Sequence, residues 1–595
     1  MKKSKYYTIL LAACLSFGLA STQNVEAVQI LKPNIKIKSK APVAQPTVTE
    51  RKTIIIVDDE TLAKIKPAEE AVKPEAKKPP KTEPIGETPG WKEKLKEIRS
   101  REKSQAQSGQ KLEAKASGQT VIVSTKPVSP KNEIAKSIET KKVSLEETAK
   151  QRAKVQVPAV SKLQKNPQLD AELAGFIGDT GDKVPGLGVI AYKNGARIYE
   201  NYLGRRYIFG ERTGDLPFDK ESYFRVASVS KQLTVLAALQ LVEKKKLDLD
   251  EDISKYLGFT LRNPNFPDKK ITCRMLMSHT SSLRDGKLYT IPPAYSIKEF
   301  FTKTGKFYEE GAHFASNKQE IEKYYKYANI NYGILGTILE KISEQRFDLF
   351  MKKGILKDLA IKGSFNPGDF KGKNIKLLGA AYQKQKNGIW NEAGPWVAQV
   401  DDQNIQKNHG SNEVMTTNPD HRDTDSWYSL SDYVIGSNGT IFSPQGGLRA
   451  SALDLSHVLE LYLQDGQYNG QQIVSKESLD EMFRIYWLYM KDENNGETYG
   501  GTIEAYGLGV MPFFTGGSSK VSTMKNHQWW GHMGEAYGML TGLMVDRRNK
   551  CGYVYIMNGE ALEEDNDKRS AGKFSSNYIW EENINDAICR NLFKD

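Results

Sequence analysis

Apolar residues fall into a sustained pattern in this chain only from about Pro167 onward. Pro167 to Gly178 has them at helical spacing and predicts an amphipathic first helix. The run PGLGVIAYKNGARIYENYLGRRY, from Pro185, divides into two apolar stretches around Asn194-Gly195, a pair that favours the positive-φ turn of a β-hairpin. Between Ser228 and Glu243 the segment SVSKQLTVLAALQLVE is apolar nearly all round and contains neither Gly nor Pro. It predicts a buried helix with Ser228 in its first turn. The stretch Phe224–Glu344 reads as helix-rich, and further helices follow Ala450. Strands are predicted at Met539–Asp546 and Cys551–Met557, and a terminal helix at about Asn577–Leu592. Strands at both ends with helices between them predict an α+β fold, an antiparallel β-sheet flanked by helices with a mainly helical subdomain.

Before this region the pattern is of another kind. Lys2, Lys3 and Lys5 precede an apolar run from Tyr6 to Ala20, the form of a secretory leader over residues 1–27. Two processing routes compete. Gly18-Leu19-Ala20 and Val25-Glu26-Ala27 offer small residues for ordinary cleavage, which is favoured. Leu11-Ala12-Ala13-Cys14 has the form of a lipoprotein box, which would tether the chain to a membrane through Cys14. Residues 28–165 contain one aromatic, Trp91, amid Lys, Pro, Glu, Ala, Ser and Gln. Such a composition buries too little apolar surface to offset chain entropy and predicts a disordered linker, with at most a short strand at Thr53–Val57 and transient helix at Trp91–Arg101.

Charge sharpens this division. Before position 166 there are 33 basic and 18 acidic residues, so the total of +12 leaves residues 166–595 mildly acidic. The basic balance belongs to the linker, and a nucleic-acid partner loses its support. The chain is expected to be exported, periplasmic or cell-envelope associated, and monomeric. Cys273, Cys551 and Cys589 would remain beyond the leader, enough for one disulfide at most. Cys551 with Cys589 is the candidate pair, and buried thiols are the equal alternative. No Cys/His spacing points to a metal, and no cofactor is expected.

The candidate chemistry lies at Ser228-Val229-Ser230-Lys231. A spacing of three puts Lys231 one helical turn from Ser228, on the same face. A serine hydroxyl needs a base to become a nucleophile, and an amine in a desolvated pocket is neutral enough to help. The S-x-x-K pattern alone is weak, but it has company in chain order. FRVASVSKQLTVLAALQLVEKKKLDLDEDISKYL (from Phe224), ITCRMLMSHTSSL (from Ile271), Tyr327-Ala328-Asn329, the Gly446-Gly447-Leu448 segment, YGLGV at Tyr506 and GHMGEAYGM with His532-Met533-Gly534 follow one another. Together they resemble the class C β-lactamase and penicillin-binding-protein-like serine hydrolases over about residues 166–595.

The resemblance implies a β-lactamase/transpeptidase-like fold and a set of roles. Ser228 would be the acyl-enzyme nucleophile, in a proton relay with Lys231 and Tyr327. Tyr327 would act as base for acylation and acid for the leaving group, which requires a phenol pKa lowered by neighbouring cations. Only the Tyr-x-Asn flank selects Tyr327 from Tyr324, Tyr325 and Tyr332. Asn329 would bond Lys231 and the substrate amide, Gly534 would let the strand backbone approach substrate, and the N–H groups of Ser228 and Glu535 would form the oxyanion hole. His532 departs from the lysine that many β-lactamases carry. A histidine partly charged at neutral pH weakens carboxylate recognition and leaves esterase and D-amino-acid peptidase activities open. The long polar segments Arg284–Lys326 and Phe365–Ile441 would either set substrate access or be disordered surface insertions, and Trp427, Tyr428, Trp529 and Trp530 are candidate groove aromatics, although aromatics pack cores more often.

Two functions are therefore expected. The first is a serine hydrolase acting on a peptide or ester carbonyl, as a D-alanyl-D-alanine carboxypeptidase, esterase or β-lactamase-like enzyme, with peptidoglycan stem peptides among the substrates. The alternative is a non-catalytic envelope protein binding wall peptides or a partner through the same fold.

Overall fold

The computed structural model describes residues 163, 165–180, 183–209, 214–417, 425–562 and 572–594. The leader, Cys14 and, save for Leu163 and Lys165, the linker with its expected strand and helix lie outside the described residues.

Two separated parts of the chain build one sheet. β1 (Gly186–Lys193) and β2 (Ala196–Tyr207) form the expected hairpin, and Asn194 and Gly195 both take positive φ (54° and 75°). β3 (Leu216–Pro217) follows on the outer side of β2. From the far end come β4 (Met511–Phe513), β5 (Trp529–Ala536), β6 (Met539–Asp546) and β7 (Cys551–Met557). Their order is β4-β5-β6-β7-β1-β2-β3, antiparallel throughout, with Leu187 of β1 opposite Met557 of β7.

Both sheet faces are covered, which is why β1, β6 and β7 read as unbroken apolar runs. Val189 and Ala191 face one way and pack with α1 (Pro167–Ala174) and the terminal helix. Ile190 and Tyr192 face the larger core built on α2 (Ser230–Glu243), α3 (Ile330–Ser343) and α4 (Ala452–Leu463). The terminal helix is α5 (Ile579–Leu592). Helix α2 has buried residues all round, as its sequence predicts. Its first turn is displaced, however: Ser228 sits in a short 3-10 turn, Ala227–Val229, ahead of the α-helix. Among the described residues no helix is long and apolar enough to cross a membrane.

Candidate active site

The 3-10 turn holding Ser228 is fixed from below and beside. Ala227 has φ 45°, a left-handed conformation that costs a residue with a Cβ and is maintained by its surroundings. Thr541 Oγ1 on β6 donates to Val226 O at 2.9 Å, fastening the turn to the sheet. On β5, a Cβ at Gly534 would stand 2.8 Å from Val226 O and 2.9 Å from Ser228 N. Only glycine lets this strand lie against the nucleophile's backbone.

Lys231 is fully buried one turn along. Its Nζ donates to Ser228 Oγ (3.1 Å), Asn329 Oδ1 (3.1 Å) and Gln445 O (3.0 Å). The segment bearing Gln445 reaches the lysine because α3 offers it a glycine: a Cβ at Gly336 would stand 2.5 Å from the Pro444 ring. Thr234 Oγ1 then anchors Pro444 O at 2.8 Å. Burial lowers the Lys231 pKa to about 7, opposed by the charge of Asp285.

Tyr327 Oη donates to Ser228 Oγ at 2.7 Å, and its ring lies 4.6 Å from Lys231 Nζ. Its rivals are otherwise engaged: Tyr325 stacks on Trp487, and Tyr332 Oη donates to Met277 O. The expectation of a lowered phenol pKa is corrected. Burial pushes Tyr327 up, and the hydrogen bond to Ser228 and the proximity of Lys231 do not reverse it, so the phenol is protonated at neutral pH.

His532 calls for a second correction. It is buried on β5, its Nδ1–H donating to Met533 O and its Nε2 accepting from Tyr506 Oη at 2.8 Å. Burial, with Lys231 nearby, lowers its pKa to about 3, so it is a neutral ring rather than a part-time cation. Glu535 is exposed at the rim, its Oε2 accepting from Tyr578 Oη at 2.8 Å. With Ser228 N beside Gly534, the next N–H along β5 is that of Glu535.

Two contributors escaped the sequence reading. Asp285 accepts from Ile330 N (2.8 Å) and Asn329 Nδ2 (3.2 Å), capping α3 and orienting the Asn329 amide. His279 stacks on Tyr327 with ring centroids 4.4 Å apart, while its Nδ1 accepts from Ala328 N at 3.1 Å. His279 lies within ITCRMLMSHTSSL, which marks the turn without disclosing this contact, and Asp285 lies two residues beyond that motif.

A cavity of about 1180 Å³ opens over Ser228. Tyr289 and Trp390, from the two long segments, line it with Tyr499, Tyr537 and Tyr578, and no described lining residue is Lys or Arg. The candidate groove aromatics lie elsewhere: Trp529 is buried against His527, Trp427 stacks on His409, Trp530 packs on Phe483, and Tyr428 packs against the helical core. Cys273, Cys551 and Cys589 are unbridged and buried, so the candidate Cys551–Cys589 disulfide is not formed. The fold also gathers His527, Asp546 and Cys551, which their spacing in sequence did not disclose, with ligand atoms within 4.8 Å of one another. The same His527 Nδ1 faces Asp546 Oδ2 (3.0 Å) and Cys551 Sγ (3.7 Å), and Asp546 also accepts from Gln528 N and from Asn549. These bonds account for the cluster as a cap on the β6–β7 turn.

An antiparallel sheet flanked by helices, with a serine, a buried lysine and a tyrosine converging beside a strand glycine, defines the serine hydrolases of β-lactamase/transpeptidase-like fold. The chain belongs to the Beta-lactamase family, whose model matches residues 171–576. It is similar to protein flp of Staphylococcus aureus (strain N315), 23% identical over 188 residues covering 30% of this chain and 34% of that protein. It is also similar to penicillin-binding protein 4* of Bacillus subtilis (strain 168), 29% identical over 169 residues, covering 28% and 35%. The matched segments thus span about a third of these relatives' length. Among solved structures, the D-amino acid amidase of Ochrobactrum anthropi SV3 complexed with D-phenylalanine aligns with TM-score 0.46 and 17% identity, over 72% of this chain and 99% of that one.

Proposed function

We propose that this chain is an exported hydrolase that cleaves ester or amide carbonyls through an acyl-enzyme on Ser228. The observation that carries this reading is the set of atoms around Lys231. Two of its three partners, Asn329 Oδ1 and Gln445 O, are carbonyl oxygens that only accept. A neutral amine uses its two N–H bonds on them, and its lone pair is left facing Ser228 Oγ–H. With a pKa of about 7, about half of the lysine is in this state at neutral pH.

Lys231 then takes the Oγ proton as Oγ bonds to the substrate carbonyl carbon. The oxyanion lies between the N–H groups of Ser228 and Glu535. The bond to the leaving group breaks, and that group receives a proton from the Tyr327 phenol, which Lys231 replenishes. Tyr327 is an acid here and not the initiating base. Water adds to the acyl carbon in the second half, releasing the carboxylic acid and restoring Ser228. Asn329 has a second amide N–H for the substrate carbonyl.

The neutral, Tyr506-bonded His532 and the lack of Lys or Arg among the described cavity residues support substrates without a carboxylate next to the scissile bond. Short esters and amino-acid amides therefore rank above β-lactams and D-alanyl-D-alanine peptides. The test is intact mass of the full chain after fluorophosphonate treatment, beside Ser228→Ala. A single adduct on the wild type and none on the variant is expected. No adduct on folded wild type overturns the reading and leaves the fold as a binder of wall peptides or of a partner.

A further inference from the structure

Among the described residues several titratable groups face Lys231, and one of them is a carboxylate. Tyr327 and Tyr332, on either side of the start of α3, place their rings 4.6 and 5.3 Å from Nζ and are kept protonated by burial. His279 from the preceding turn and His532 from β5 are kept neutral by burial and by Lys231 itself. Asp285 is the carboxylate whose charge acts on the lysine. Burial pushes its carboxyl up, opposed by the N–H donors of Asn329 and Ile330 and by Lys231.

Its contact with the lysine is indirect. One Asp285 oxygen holds the first N–H of α3, and the other accepts from Asn329 Nδ2, whose Oδ1 accepts in turn from Lys231 Nζ. The Asn329 amide cannot flip without setting Nδ2 against the ammonium and Oδ1 against the carboxylate. The result is a file of four groups, carboxylate, amide, amine and hydroxyl, ending on Ser228 Oγ. In it the amide passes polarisation, while protons move only between the last two members.

We infer that Asp285 is a positioning residue for the reaction proposed above: it fixes the Asn329 amide and supplies the negative charge that stabilises Lys231 as it takes the Ser228 proton. This rests on the acyl-enzyme reading. No role for this carboxylate follows from the Ser-x-x-Lys and Tyr-x-Asn residues themselves.

The test is the rate of Ser228 phosphonylation by a fluorophosphonate from pH 5 to 9, on the full chain, for wild type, Asp285→Asn and Asp285→Ser. Asn keeps an amide oxygen where the carboxylate oxygen accepts from Ile330 N while removing the charge, and Ser, one bond shorter, removes charge and acceptor together as a control. In wild type the rate rises with pH through the Lys231 ionisation. Without the carboxylate the ammonium is less stable, so the midpoint moves to lower pH by about half a unit or more. The plateau falls roughly tenfold or more, because the charge forming on Lys231 is uncompensated. A lower plateau with an unmoved midpoint in the folded variants overturns the inference, since a merely structural role changes the rate and not the midpoint. Absence of any adduct on wild type is a different outcome, which removes the acyl-enzyme reading and this inference with it.

Discussion

Replacing Lys231 by methionine should remove Ser228 acylation and change how stability depends on pH. At about 1.36 kcal/mol per pH unit, a fall in pKa from 10.5 to about 7 means that the folded chain disfavours the ammonium by on the order of 5 kcal/mol. The direction follows from proton binding. Between pH 7 and 10.5 the unfolded chain holds a proton on Lys231 that the folded chain has released, so stability rises with pH in that window. Below pH 7 both states are protonated and the full cost applies. For a single group with these two pKa values, wild type gains about 2 kcal/mol between pH 7 and 9 and less than about 0.5 kcal/mol between pH 5 and 7. Methionine keeps most of the stem's packing and has no charge, so the variant lacks this gain. At pH 6 it is relieved of the buried ammonium but leaves Asn329 Oδ1 and Gln445 O without their donor, at about 1–3 kcal/mol each. The variant should thus lie between about 1 kcal/mol less stable and ~3 kcal/mol more stable than wild type, while inactive. Urea unfolding of both proteins at pH 5, 7 and 9, followed by tryptophan fluorescence, measures the difference. If it stays constant within extrapolation error across this range, Lys231 is not desolvated as described, and the neutral-amine base falls with it.

Three further outcomes follow from the same geometry. Gly534→Ala places a methyl against Ser228 N and Val226 O and should lower kcat/KM for a short ester by roughly 100-fold or more, measured with melting to separate the site from the fold. Because His532 stays neutral down to about pH 3, any gain in affinity for a carboxylate-bearing ligand over its amide between pH 8 and 5 should come from Lys231 and be the same in His532→Gln, as read by competition with fluorophosphonate. Burial pushes the Cys273 and Cys551 thiols far up and Cys589 up to about 12, so iodoacetamide at pH 8 should leave all three unmodified in the native chain and alkylate them in urea.

What was legible in the sequence was whatever local pattern decides. The hairpin followed from Asn194-Gly195, the buried helix from its unbroken apolar run, and β6 and β7 from runs long enough for strands and too short for the expected helices. Ser228, Lys231, Tyr327 and Asn329 were legible as motifs, and the fold brings them within hydrogen-bonding distance of one another. What escaped was chemistry that depends on neighbours distant in sequence. Gln445 contributes a main-chain carbonyl, which no residue type announces. Asp285 is one acidic residue in a polar loop until the fold sets it under Asn329. The protonation states of Tyr327 and His532 are set by burial, and burial reverses the expectation for both. The groove aromatics come from five separate segments, and the adjacent pairs Trp427-Tyr428 and Trp529-Trp530 pack elsewhere: adjacency in a strand sends neighbours to opposite faces.

The pairing of β1 with β7 joins residues about 370 positions apart, Leu187 with Met557. Ser228 is made about 300 residues before the strand wall that completes its site. A growing chain thus carries Ser228 through that interval as an inert alcohol. Bringing such remote strands together is slow, since the entropy of closing the loop is lost before any strand contact repays it. Competence to cleave a carbonyl therefore arrives in one step, when β5 to β7 dock, and a chain interrupted before β5 has no partial activity to misdirect.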